Sequence, residues 1–213
     1  MTKPAVVAAL ALVVAGCGGK TDDAKNAASA IAAVTSGAVQ AGLQNAEKFQ
    51  QARVAKGDTV AMAYTDLQKF LPASFDGYTA EAPSGSSQSM GGFSMAQAEQ
   101  TWKGPAKADG STPEIQVTLV DFSGTQQAYG MMAAPMLSGF KQEDAHRRAG
   151  SVKVGLADTG AWEDFNKDNS DAKITMVTRY RYMVTVEARN QGEDRSKMVL
   201  DLAESIAKKF DGK

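Results

Sequence analysis

Beyond residue 56 the apolar positions fall into short runs whose period switches between helical and alternating. Ile115, Val117 and Leu119 alternate with Gln116, Thr118 and Val120 just after Pro113, predicting a strand with one buried face and a second face partly covered. The same period in Tyr182, Val184, Val186 and Ala188, preceded by the run 173–179, predicts a hairpin. Further strands are expected over 78–82, 96–102, 151–154 and 160–165, with a loop of serine and glycine over 83–92. Val199, Leu202, Ile206 and Phe210 follow helical spacing, and Glu193 with Lys197 and Glu204 with Lys208 stand four apart in the favourable order, so the chain should close with an amphipathic helix. A short helix is expected from Val60 to Leu71, where Pro72 stops it. A middle helix should begin at Ser123, capped with help from Gln126, and run through Met131, Met132 and Met136 to Phe140 with a kink at Pro135.

Strands interleaved with a middle and a terminal helix imply an α+β fold: an antiparallel sheet with helices packed on one face. Ahead of it, residues 21–56 are rich in alanine and free of proline, which favours helix because alanine loses no side-chain entropy. Their apolar points, Ile31, Val34, Val39, Leu43 and Phe49, are few. A helix about 50 Å long, at about 1.5 Å per residue, with so little to bury reads as a spacer. A coiled coil or a disordered linker is the alternative. The chain thus divides into a leader over 1–16, an anchor and spacer over 17–56, and the α+β domain over 57–213.

The leader has a basic start at Lys3, an apolar run over 5–15 and small residues before Cys17. That order is the order of a secretory signal, and the run is shorter than the roughly 20 apolar residues a bilayer span requires. Its end, Val14-Ala15-Gly16-Cys17, resembles the lipobox of the bacterial lipoproteins processed by signal peptidase II. The resemblance implies cleavage between Gly16 and Cys17 and acylation of the Cys17 thiol and new amino group. Several buried acyl chains, at about 0.8 kcal/mol per CH₂, make a lasting anchor where one chain does not. Gly18, in place of aspartate, resembles the outer-membrane sorting pattern of enteric bacteria. In its order of elements the domain resembles small Mog1/PsbP-like domains, an architectural likeness that carries over no functional residue.

Composition narrows the chemistry. Cys17 is the only cysteine, so one copy of the chain holds neither a disulfide nor a thiol-based zinc site. The formal net charge is −1, and Lys3 is the one charged residue ahead of Cys17, so nothing marks a nucleic-acid partner, which calls for a basic face. Asp158-Thr159-Gly160-Ala161 resembles the signature of retroviral-type aspartic proteases, in which two such aspartates share a proton. Trp162, Glu163 and Asp164 depart from that pattern, no companion segment follows, and a strand-connecting turn accounts for the same residues. Asp164, Asn166, Asp168 and Ser170 alternate like the start of a calcium loop, but Asn169 and Thr175 stand where its glycine and glutamate belong, so a hairpin loop is expected. The methionines suit Cu(I) in principle and helix packing in practice. His146 falls in a charged surface stretch, and Ser138 with Lys141 matches Ser-x-x-Lys without its companion motifs. Arg179, Arg181, Arg189 and Arg195 make the last hairpin locally basic, with Arg179 and Arg181 expected side by side on a solvated face.

No cluster names a reaction, a metal or a cofactor. The expectation is a non-enzymatic lipoprotein of the cell envelope, held to the membrane through Cys17, facing the periplasm from the outer membrane, and binding a protein or small ligand. Two alternatives accompany it: a carrier of a lipid or other apolar ligand in a pocket lined by Met131, Met132, Met136 and Phe140, and an aspartic-type hydrolase using Asp158.

Overall fold

A computed structural model describes residues 37–90, 93–123, 133 and 135–211. Gly16, Cys17, Met131 and Met132 lie outside the described residues. The architecture is mostly antiparallel sheet with a few helices, a mixed α+β arrangement. Helix α1 (Gly37–Val54) comes first, then the short α2 (Tyr64–Leu67), which continues as a 3₁₀ turn over Gln68–Phe70. The strands are β1 (Thr79–Ala80), β2 (Ser84–Met90), β3 (Phe93–Lys103), β4 (Glu114–Asp121), β5 (Lys141–Glu143), β6 (Arg147–Val152), β7 (Thr159–Asn166), β8 (Asp171–Thr178) and β9 (Tyr182–Arg189). Helix α3 (Ser196–Lys208) follows β9. They form one sheet in the order β1-β3-β4-β9-β8-β7-β6-β5, with β2 sharing the outer edge of β3 beside β1.

Alternation decides the main core. Ile115, Val117 and Leu119 of β4 lie opposite Ala188, Val186 and Val184 of β9, which in turn lie opposite Ala172, Ile174 and Met176 of β8. All nine are buried, and Val199, Ala203, Ile206 and Phe210 of the last helical segment close over them. Phe210 stacks between Tyr182 at 4.2 Å and Phe70 at 4.5 Å, an aromatic column that locks the C-terminus to the α2 segment. Tyr182 is buried there, and its phenol is pushed up to about 12, chiefly because burial disfavours the phenolate.

The helices do not all share that face. Met183 of β9, Val177 of β8 and Trp162 of β7 point the other way, and against them pack Ala46 of α1 and Ala133, Met136 and Leu137. The Ala-rich helix is therefore part of the folded body from Gly42 onward, where a free spacer was expected. A Cβ on Gly42 would stand 2.6 Å from Leu137 Cδ1, so its hydrogen lets the helix come close. Ala46 is buried, the Phe49 ring meets Tyr180 at 5.8 Å, and Arg53 Nη2 donates to Ser123 Oγ at 2.7 Å. These positions repeat with helical spacing, and Gly42 and Ala46 let the helix lie close while Phe49 and Arg53 reach the turn residues Tyr180 and Ser123.

Two strands arise where loops were expected. β2 has no apolar alternation and is exposed along its whole length; its pairing with β3 from Ser84↔Glu99 to Met90↔Phe93 supplies the order its side chains do not. β5 occupies the start of the charged stretch around His146, paired with β6 from Lys141↔Gly150 to Glu143↔Arg148. Within α3 the ion pair is Lys197 with Asp201 at 2.5 Å, while Glu193 precedes the helix and meets Arg195.

One buried ion pair fastens these parts. Arg181 donates from Nε to Asp121 Oδ1 at 2.7 Å and from Nη2 to Oδ2 at 2.8 Å, a bidentate contact with Asp121 fully buried. Its Nη1 reaches Asp58 Oδ2 at 2.7 Å, and Asp58 also accepts from Arg53 Nε at 3.1 Å. The Asp121 carboxylate further accepts the main-chain N–H groups of Met62 and Ser123, at 2.7 and 3.0 Å. Arg181→Met should cost about 3–5 kcal/mol, because it strands a buried carboxylate, and adding Asp121→Asn should recover part of that loss. Urea unfolding followed by circular dichroism checks both, and an unmoved midpoint in the single variant would count against the pair's role.

Candidate functional site

At the β5 edge of the sheet lies an open groove of about 1060 Å³, above the roughly 300–1,000 Å³ usual for small-ligand pockets. The helical turn carrying Met136 and Leu137 forms one wall, and Ser151, Val152, Lys153 and Val154 form the other. Glycine makes the approach possible: a Cβ on Gly150 would meet Phe140 O at 2.7 Å, and one on Gly160 would meet Met136 Cβ at 3.1 Å. Gly139, at φ +71, turns the chain from the helix into β5.

Most charges along the groove are already paired. Arg148 forks onto Glu163 at 2.9 and 3.1 Å and also reaches Asp194 and Ser196, both at 3.1 Å. Glu143 accepts from Lys167 Nζ at 2.8 Å, which holds its carboxyl below the usual carboxylate range. Lys141 and Lys153 differ: both are exposed, both line the groove, and neither has a hydrogen-bond or ion-pair partner among the described residues. The groove thus offers two uncommitted ammonium groups, with apolar side chains on both faces of the sheet edge: Val152 and Val154 toward the α3 core, Met136 and Leu137 toward the cluster under α1.

The sequence-predicted residues are placed as follows. Met136 is buried against Ala46, Val177 and Trp162 while also bordering the groove, and Phe140 stacks parallel on Trp162 at 6.0 Å. Asp158 is a turn residue at φ 53; its carboxylate accepts from Tyr180 Oη at 2.7 Å and faces Arg179 at 4.0 Å. Burial first, and this bond second, push the Tyr180 phenol up to about 12. Asp164 pairs with the Arg147 guanidinium, at 2.5 and 2.7 Å, and Asn166 Oδ1 accepts the Asp168 N–H at 2.9 Å within the β7–β8 turn. Among the described residues no group of three or more His, Cys, Asp or Glu side chains is arranged to hold a metal ion. Ser138 Oγ donates to Pro135 O at 2.7 Å, a local turn bond. Arg181 is buried rather than solvated, and it completes, with Arg179 and Tyr180, the three-residue turn joining β8 to β9, the first two at positive φ.

No protein-family model and no curated protein matches the chain. Among solved structures, the extracellular domain of PknH from Mycobacterium tuberculosis aligns with 73% of this chain and all of its own length, at 12% identity and a TM-score of 0.44. A likeness that loose transfers no role.

Sequence reasoning met Lys141 only as the end of a Ser-x-x-Lys match and passed over Lys153, since single lysines carry no spacing signal; only the pairing of β5 with β6 brings them to one groove. His146 lies at the outer end of the same strands, exposed, with Nδ1 3.0 Å from Asp168 Oδ1. The Asp168 hydrogen bond and charge raise its pKa above the ordinary 6.5. The pair therefore helps the fold fully below the ordinary value, and that help fades as pH rises through the raised one. Proton NMR titration should place His146 above 6.5, and Asp168→Asn should bring it back down.

Proposed function

We propose that the chain is an envelope lipoprotein, tethered through acylated Cys17 and presenting its α+β domain to the periplasm, where the β5-edge groove binds a partner without chemical turnover. The observation that carries the anchor is the coincidence of Val14-Ala15-Gly16-Cys17 with the end of an eleven-residue apolar run. Gly18 supports the outer membrane as its address. The groove supports a binding role because it is the described concavity where cationic groups stand uncommitted.

The apolar-carrier alternative draws less support. Phe140 spends its face on Trp162, Met136 spends most of its surface on α1 and the sheet, and the groove walls carry Lys141, Gln142, Glu143, Arg148 and Lys153. The hydrolase alternative requires a second carboxylate near Asp158, whereas Tyr180 and Arg179 are its neighbours.

Cys17→Ala, or globomycin treatment of the native chain, should leave the leader uncleaved and shift the protein out of the lipid-anchored membrane fraction, as read by mobility and detergent partition. Unchanged processing and unchanged fractionation would remove the anchor from the reading. A photo-crosslinking side chain in place of Gln142 should give envelope adducts, and one in place of Ser87 on the far edge should not. No adduct at Gln142 would remove the groove.

A further inference from the structure

The wall opposite Met136 and Leu137 is a strand edge left open by the shortness of its neighbour. Ser151 N–H donates to Phe140 O at 2.8 Å, which shows that Ser151 turns its main-chain groups toward the β5 side. Phe140 N–H does not return the bond; it donates to Ser138 Oγ at 3.1 Å. Lys153 follows directly on the last residue of β6, and continuing that strand's two-residue period would direct its main-chain groups the same way. No described residue reaches them: the chain has already turned away at Gly139, and neither the carbonyl of Ser151 nor the N–H and C=O of Lys153 has an intramolecular partner among the described residues. An unpaired row of this kind is a template for an incoming strand.

We infer that the groove takes an acidic polypeptide segment in extended conformation, which adds as a strand along the open edge at Ser151 and Lys153 and sets its carboxylates on the ammonium groups of Lys141 and Lys153. The inference rests on the groove being the binding site proposed above, and it names the occupant. Three features converge on a peptide. Unpaired main-chain groups ask for a backbone, Val152 and Val154 on one face and Met136 and Leu137 on the other ask for apolar side chains on both sides of that backbone, and the two lysines ask for negative charge. The groove's volume also exceeds what a small anion fills. The carboxylates of Glu143 and Glu163 do not cancel the lysines, because Lys167 and Arg148 already hold them.

The test uses the full chain, extracted in a neutral detergent, and a capped peptide of repeated Val-Val-Glu-Glu, which sets valine and glutamate on both faces of an added strand. Calorimetry should show binding, and hydrogen exchange at the Lys153 amide should slow in the complex. K141E/K153E should weaken binding by about tenfold or more, the order expected when opposed charges are reversed at an interface. Lys56→Glu, an exposed charge change outside the groove, should leave binding unchanged. Equal binding of the same peptide with N-methylated main-chain nitrogens would overturn strand addition. Equal binding of a valine–lysine peptide, inorganic phosphate binding where the acidic peptide does not, or no peptide binding at all would overturn the inference as a whole. Adducts at Gln142 with a partner that is not an acidic peptide would sink the named occupant alone, while no adduct there would sink the groove itself.

Discussion

The contact between Arg181 and Asp121 holds together what the backbone alone leaves separate. Taking two charges out of water is costly, and such a pair repays the cost only when geometry and further hydrogen bonds satisfy both partners. Here they do. The guanidinium is forked on one carboxylate, bonded to a second at Asp58, and lies over the Tyr182 ring at 5.0 Å, while the buried carboxylate gathers two main-chain N–H groups. Because Met62 is one of them and Asp58 ties back to Arg53, the pair fixes the connection between α1 and α2 against the ends of β4 and β9. That connection sets where α1 lies, and so what covers the second face of the sheet.

The second face follows from this constraint. Val177, Trp162 and Met183 would meet water if α1 and the Met136 turn were elsewhere. The turn joining β8 to β9 serves the same end: Arg179 and Tyr180 both accept left-handed backbone, at φ 55 and 53, a conformation that costs L-residues about 1–2 kcal/mol each. The cost is offset by what the turn presents, since Tyr180 meets Phe49 on α1 and bonds Asp158, and the Arg179 N–H bonds Asp158 O.

Much of the sheet was legible in the sequence because buried strands write their period into apolar residues. β9 was expected over the same residues it occupies, and β4, β7 and β8 within a residue or two. β2 was not legible, because a strand exposed on both faces has no pattern to write; hydrogen bonds to β3 define it. Nor was the docking of α1, because of its contact residues only Phe49 is a large apolar side chain, while Gly42, Ala46 and Arg53 are residues that a search for such side chains passes over. The buried role of Arg181 was hidden for a related reason: it stands in the turn before β9, where no strand period applies, and only the partner at Asp121, sixty residues away, shows that it points inward. The groove lysines share that difficulty, since strand pairing alone brings them together.

The packing of α1 bears on how far the body can stray. With the helix seated from Gly42 onward, only the nineteen residues between Cys17 and Gly37 lie between the proposed acylated end and the start of the described helix. Even pulled straight, at about 3.3–3.6 Å per residue, such a leash reaches about 70 Å. In the proposed anchored form, a partner fixed in the same leaflet would be met within a thin shell above the lipid heads, at a local abundance far above that of free solution, so that a contact too feeble to persist between two dissolved molecules would persist there.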